Sequence, residues 1–312
     1  MSKTVLFFPG QASQYVGMAR DLFEASQEVQ LLYKLATEEI GENIATVSFE
    51  GPPEKLTRTR FTQPAILLHS LAVLKLMGDR IPQFDYACGH SLGEYGALAV
   101  TGALSYEDAV RAVVKRAALM EEACVKNPGT MAAIVAMPAD RLDEVCRQAS
   151  DSEHGVVIPA NYNSKMQVAI SGDVDAVTAA VELAKEAGAK RAIMLQVGGA
   201  FHSPLMEPAR EGLEKYLQDI EIRTPNKPVI ANVTAEPVTD PDEIRRLLVA
   251  QVTAPVRWSQ TMSWLKDNGA DSVFEIGPGA VLTGLAKRDM RPARSVNLDK
   301  LKDVREFTAV SA

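Results

Sequence analysis

Residues Gly89-His90-Ser91-Leu92-Gly93 set a serine between two glycines with the G-x-S-x-G spacing of a nucleophile elbow. In such an elbow a strand turns sharply into a helix. The glycines let the two backbones approach while the serine oxygen stands clear of them. The surroundings agree: Phe84–Cys88 predicts a short strand, and Leu92–Val100 predicts a helix of small residues. The chemistry this suits is nucleophilic acyl transfer, with the Leu92 amide at the helix start placed to donate to an oxyanion. A glycine-bounded turn whose serine only caps the helix is the competing reading.

A serine nucleophile needs a base, and four histidines are available: His69, His90, His154 and His202. His69 falls inside a helix predicted over Thr62–Met77, and His154 in the polar stretch Asp151-Ser152-Glu153. His90 lies within the elbow with its side chain directed away from the serine. His202 follows Gly198-Gly199 and precedes a helix start at Ser203-Pro204, a boundary loop of the kind that carries catalytic histidines. It is the best base candidate by position.

Arg116 lies on a helix predicted from Ser105 to Glu122, capped by Ser105 and with Glu107 and Asp108 in its first turn. Ala109, Val110, Val113, Ala117 and Met120 share one face. Arg116 falls at the border of that face, where a guanidinium is partly enclosed. Two readings stand: a bidentate clamp for a carboxylate, or an arginine whose stem covers apolar surface. Gln11, after Pro9-Gly10, sits at the C-terminal end of a first strand predicted over Thr4–Phe8. Open parallel sheets bind ligands there, so Gln11 is either an oxyanion donor or a turn residue.

The rest of the chain must position these groups. Its 312 residues suffice for one large domain or two linked ones, and 46% hydrophobic with 23% charged residues is ordinary globular composition. Thirty-three basic against 40 acidic residues give −7, which argues against general affinity for nucleic acid or anionic membrane. Three scattered cysteines build neither a disulfide framework nor a zinc site. No metal-ligand spacing, Walker A sequence or dinucleotide fingerprint stands in context. With no secretory leader and no run of 18 apolar residues, a cytoplasmic location and no membrane span are expected.

Strand and helix patterns alternate, predicting an α/β fold. Between Asn127-Pro128-Gly129 and Gly198-Gly199 the order is strand Met131–Met137, helix Ala139–Ala149, strands Val156–Ala160 and Gln167–Ser171, helix Asp173–Ala187, strand Arg191–Val197. Asn161-Tyr162-Asn163-Ser164 reads as the turn joining the middle strands. This β-α-β-β-α-β order is ferredoxin-like. Residues 126–199 are therefore expected as a small unit inserted into a larger one formed by 1–125 and 200–312. A helix over Pro204–Asp219, a strand over Pro228–Val233, a helix over Trp258–Asn268 and a last strand over Asp271–Ile276 complete the expectation. Gly277-Pro278-Gly279 then opens a helix through Arg288.

Together the segments resemble the malonyl-CoA:acyl carrier protein transacylase family, including acyltransferase domains of fatty acid and polyketide synthesis. The matching pieces are Phe8-Pro9-Gly10-Gln11-Ala12-Ser13-Gln14, Thr62-Gln63-Pro64-Ala65, Gly89-His90-Ser91-Leu92-Gly93-Glu94-Tyr95 and Arg116 with Leu119-Met120. Asn161-Tyr162-Asn163-Ser164, Gly199-Ala200-Phe201-His202-Ser203-Pro204 and Glu275-Ile276-Gly277-Pro278-Gly279 follow in the same order. The resemblance implies a large α/β-hydrolase-like domain with a parallel sheet and nucleophile elbow, plus an inserted ferredoxin-like subdomain. It implies Ser91 as nucleophile, His202 as base and acid, Arg116 as partner of the malonyl carboxylate, and the amides of Gln11 and Leu92 as oxyanion hole. It further implies that a main-chain carbonyl at Gln251 orients the histidine, and that Gln63, His90, Asn161 and Phe201 border the substrate pocket.

The implied reaction is ping-pong transfer of malonyl from malonyl-CoA to the phosphopantetheine thiol of acyl carrier protein, in a monomer without metal or cofactor, CoA being part of the substrate. Phe201 beside the base favours malonyl over α-methyl-branched units. One departure is Lys165-Met166 where the family often has Pro-Gly. A serine esterase or thioesterase shares the elbow, but it places an acid between serine and histidine in the chain and uses an HGGG-type loop, neither of which is evident here. A non-catalytic carrier-binding scaffold is the remaining alternative. Lys190-Arg191 and Lys287-Arg288 are candidate contacts for an acidic carrier.

Overall fold

The computed structural model describes residues 2–150 and 155–307, so His154 and its polar stretch lie outside the described residues. The strands are β1 (Lys3–Phe8), β2 (Tyr86–Gly89), β3 (Thr130–Val135), β4 (Val157–Ser164), β5 (Gln167–Gly172), β6 (Arg191–Met194), β7 (Val229–Ile230), β8 (Pro237–Val238), β9 (Ala270–Ile276) and β10 (Arg294–Leu298). Six form one sheet in the order β10-β9-β1-β2-β7-β8. Its pairs are parallel except β7–β8. The other four form an antiparallel sheet in the order β4-β5-β3-β6.

Val5-Leu6-Phe7-Phe8 is fully buried, the continuous apolar run expected of a strand covered on both faces. Leu6, Phe8 and Ala87 face a core built with helices Thr59–Met77 and Tyr106–Lys126. Val5, Phe7 and Cys88 face the opposite one, with helices Trp258–Asp267 and Val281–Asp289. The four-stranded sheet has its own cluster around Ala132, Ile134, Leu142, Ile170 and Val177. It also reaches the larger sheet's side. Tyr162 N–H donates to the Val256 carbonyl (2.9 Å) and Val256 N–H to the Ala160 carbonyl (2.8 Å).

Some elements depart from the sequence expectation. The helix carrying Pro64 begins at Thr59, so the proline lies inside it and not in its first turn. Burial of most of that helix outweighs the roughly 3 kcal/mol an internal proline costs. By length and hydropathy the stretch Thr59–Arg80 could also cross a bilayer, yet 83% of its 18-residue apolar window is buried inside this protein. Asn161-Tyr162-Asn163-Ser164 is not a turn but the end of β4, paired through Asn161↔Ala169 and Tyr162↔Val168, with Lys165-Met166 as the turn. Ladder pairing and the bridge to Val256 override the low strand preference of asparagine.

The Pro204–Asp219 segment splits into a 3-10 turn, Pro204–Met206, and a helix, Glu207–Leu217. β9 is followed by an edge strand, β10, whose half-exposed residues carry little apolar signal. Helices Gln27–Ile40, Ile44–Glu50 and Pro241–Gln251 were not anticipated.

β1 and β2 are central neighbours in register Phe8↔Gly89, so the loops leaving their C-terminal ends emerge side by side. That juxtaposition brings Gln11 and Ser91 to the same end of the sheet. The elbow packs against β1 so closely that a Cβ on Gly93 would run into the Phe8 carbonyl, and one on Gly89 into Gly93. Gly93→Ala is expected to cost about 3 kcal/mol, the upper end for overpacking. Gly284→Ala, a helical site with nothing within 4 Å of the added carbon, should stabilise by about 0.5–1 kcal/mol. Urea unfolding of the two variants checks both signs.

Candidate active site

The sharp turn after β2 leaves Ser91 at φ 52°, in the left-handed region, and His202 sits at φ 57°. Non-glycine residues persist there only where the surroundings hold them. For Ser91 the holding is visible. Its N–H donates to Asn232 Oδ1 (2.7 Å), and Asn232 Nδ2 donates to the Gly89 carbonyl (2.7 Å), so one side chain clasps both arms of the elbow.

Ser91 Oγ lies 2.9 Å from His202 Nε2. His202 Nδ1 lies 2.7 Å from the Gln251 carbonyl. A carbonyl only accepts, so Nδ1 carries the proton and Nε2 turns its lone pair to the serine. Gln251 is the last residue of helix Pro241–Gln251, where carbonyls lack partners within the helix and the dipole's negative end gathers. The histidine is therefore oriented by a helix terminus, not by an acidic side chain. A signal for that helix was present in Asp240, whose side chain caps it by accepting from Glu243 N–H, and in Pro241 at its first position.

Arg116 is deeper than its border position on the helix suggested, being 1% exposed. Its Nη1 donates to Gln63 Oε1 (2.6 Å), and its Nη2 donates to Ser91 Oγ (3.0 Å) and Gln251 Oε1 (2.9 Å). Its Nε has no hydrogen-bond partner, and no carboxylate among the described residues forms an ion pair with it. A buried cation with donors to spare is a receptor for an anion.

A cavity of about 530 Å³ opens over the serine. Gln11, Gln63, His90, Ser91, Asn161, Phe201 and His202 line it, with Met120, Met131, Leu195 and Val197 as an apolar wall. Arg116 lies behind Gln63 and Ser91 rather than on the cavity surface. Leu92 is buried at the head of helix Gly93–Val100. His90 packs on Trp258 and its Nε2 lies 2.8 Å from Asn163 Oδ1, an anchoring role beside the cavity. His69 belongs elsewhere, buried against Asp299.

Sequence reasoning missed Asn232, the contact of Asn163 with His90 and the role of Glu94. Glu94 is buried, and its Oε2 accepts from Asn232 N–H (3.0 Å) and Gln251 Nε2 (2.9 Å). It does not touch His202 and is no third member of a triad.

Burial, then the nearby Arg116 charge, push the His202 imidazole down to about 3, only partly offset by the Gln251 carbonyl. The base is thus neutral at neutral pH. Its ordinary value is 6.5, so the stability it contributes is whole above pH 6.5 and drains as pH falls toward about 3. Glu94, pushed up to about 7 by burial, acts oppositely. Its contribution is whole below the ordinary 4.5 and is lost as pH rises through about 7. Ring NMR signals of His202 are expected to show no titration between about pH 8 and 5. A midpoint near 6.5 would contradict the arrangement.

A family model for the acyl transferase domain matches residues 5–305. A Bacillus subtilis (strain 168) protein named malonyl CoA-acyl carrier protein transacylase is 42% identical over 296 residues, covering 95% of this chain and 93% of the relative. The crystal structure of an acyl carrier protein S-malonyltransferase from Vibrio cholerae superposes with a TM-score of 0.90 at 38% identity, covering 97% and 99% of the two chains. A malonyl-transacylase solved in complex with a type II polyketide acyl-carrier protein gives 0.90 at 36% identity, covering 97% and 98%. With an elbow serine, a neutral buried base and a buried guanidinium already in one cleft, these likenesses lead to one conclusion: the chain belongs to the acyl transferase domain family.

Proposed function

We propose that this protein transfers a malonyl group from malonyl-CoA to the phosphopantetheine thiol of acyl carrier protein through a malonyl-Ser91 ester. The carrying observation is that Ser91 Oγ lies between His202 Nε2 (2.9 Å) and Arg116 Nη2 (3.0 Å). One neighbour takes the hydroxyl proton. The other offers a positive charge where a carboxylated acyl group would lie.

In the first half-reaction His202 Nε2 takes the Ser91 proton as Oγ bonds to the thioester carbonyl carbon. The oxyanion is met by the Leu92 amide at its helix N-terminus and by Gln11 across the cavity. Losing one such donor costs about 2.7–4 kcal/mol. The intermediate collapses, the C–S bond breaks, and CoA leaves as a thiol with the proton from His202. In the second half the carrier thiol gives its proton to His202 and its sulfur bonds to the ester carbon; the C–Oγ bond then breaks and His202 returns the proton to Ser91 Oγ. The malonyl carboxylate exchanges places with the Gln63 and Ser91 contacts on Arg116, which the unused donors of that guanidinium allow. Gln251 holds the imidazole throughout, while Asn161, His90 and Phe201 border the acyl group.

In this reading residues 126–199 form one wall of the cleft. All reacting groups come from one chain, so a monomer suffices. CoA is a leaving group, no resident cofactor takes part, and the enzyme is cytoplasmic.

Wild-type protein mixed with malonyl-CoA should give malonylated Ser91 by intact-mass and peptide analysis, and added holo carrier protein should discharge it. Ser91→Ala should give none. Free malonate and CoA without a dischargeable ester would instead mark a hydrolase. Arg116→Ala should lower kcat/KM for malonyl-CoA by about 2–5 kcal/mol, the cost of unpairing a buried charge. Its relative preference should move toward acetyl-CoA, and an unchanged malonyl-to-acetyl ratio would sink the clamp role.

A further inference from the structure

Glu94 stands directly behind the elbow, at the start of helix Gly93–Val100, and is 2% exposed. Burying a carboxylate is costly unless donors reward it. Here the same oxygen, Oε2, receives two of them from distant parts of the chain. Asn232 N–H (3.0 Å) comes from the turn after β7, and Gln251 Nε2 (2.9 Å) from the end of helix Pro241–Gln251.

Each of those partners holds one half of the reacting pair. Asn232 fixes the serine, through Ser91 N–H and the Gly89 carbonyl. Gln251 fixes the histidine through its carbonyl to Nδ1, and its side chain touches the Ser91 carbonyl (3.1 Å) and Arg116 Nη2 (2.9 Å). Among the hydrogen bonds of the described residues none joins Asn232 directly to Gln251; they meet through the elbow and this carboxylate.

We propose that Glu94 is a positioning residue for the transfer reaction, a buried carboxylate that sets the meeting point of Ser91 and His202 by holding Asn232 and Gln251 on one oxygen. It contacts no substrate and moves no proton. Removing its side chain leaves the Asn232 N–H and one Gln251 amide proton unpaired in the interior, and both halves of the dyad lose their common reference. A glutamine in its place keeps the length and one oxygen acceptor, so it preserves the geometry. An aspartate keeps the carboxyl group but withdraws the oxygen from both donors.

The role rests on the acyl-transfer reading, so its test uses a readout that needs no malonyl chemistry: the second-order rate of Ser91 phosphonylation by a fluorophosphonate. This rate depends on the serine–histidine alignment whatever the natural acyl group. A wild type that reacts with the probe but never becomes malonylated would overturn the substrate assignment and leave this test intact. Glu94→Ala is expected to react about 100-fold more slowly, the scale of an ångström-sized misplacement. Glu94→Gln should stay within about threefold of wild type and Glu94→Asp should fall between them.

Asn232→Ala should also slow the reaction, and adding Glu94→Ala to it should slow it little further, because both act along one path. Circular dichroism melts confirm that each variant compared is folded. If the alanine variants do not accumulate, the order Gln above Asp decides. Wild-type reactivity in folded Glu94→Ala or Glu94→Asp, or a slow Glu94→Gln beside a fast Glu94→Asp, would overturn the proposal.

Discussion

One serine oxygen shared between a neutral imidazole and a buried guanidinium governs this active site. Charge repulsion from Arg116, added to burial, keeps His202 unprotonated and hence able to take a proton. The same guanidinium donates to Ser91 Oγ, which favours the developing alkoxide, and its Nε has no hydrogen-bond partner. A buried cation with no ion pair among the described residues is expensive, and folding tolerates it because Gln63, Ser91 and Gln251 accept its hydrogen bonds and the Glu94 carboxyl lies within electrostatic reach. In the proposed function that cost becomes a selection device. A neutral acyl group leaves the charge facing glutamines, whereas a carboxylated one neutralises it.

The remaining architecture serves to hold that triangle. β1 and β2 lie side by side so that Gln11 and Ser91 leave the sheet together. Glycines at 89 and 93 allow the helix to start against the Phe8 carbonyl, bringing backbone amides toward the reacting carbonyl. The C-terminus of helix Pro241–Gln251 supplies the carbonyl for His202. Left-handed backbone at both Ser91 and His202 signals that contacts elsewhere in the fold, not local preference, keep the pair in place.

Much of this was legible from residue order alone, for physical reasons. The elbow announces itself because close backbone approach admits only glycine at two fixed positions. Alternating strand and helix patterns gave the α/β class and the β-α-β-β-α-β run. Arg116 was visible only as a border residue, since a helical wheel measures direction and not depth. The orienting carbonyl at Gln251 came through family resemblance, because a main-chain oxygen leaves no side-chain signature. Asn232 and the role of Glu94 escaped: their contacts join residues 138 and 141 positions apart, and spacing rules cover only neighbours in the chain. The Asn161–Ser164 segment misled because its turn-forming composition is overruled by pairing on both sides.

In the proposed reaction the malonyl carboxylate must displace internal partners of Arg116. A crystal structure of the malonyl-Ser91 ester, trapped without a thiol acceptor, tests this most directly. The expected result has the malonyl carboxylate on the Arg116 guanidinium with two N–O contacts of about 2.7–2.9 Å. The Ser91 oxygen, now an ester, has then left Nη2, and Gln63 has turned aside. A malonyl group directed toward the cavity mouth, with Gln63 and Gln251 still seated on Arg116, would contradict it.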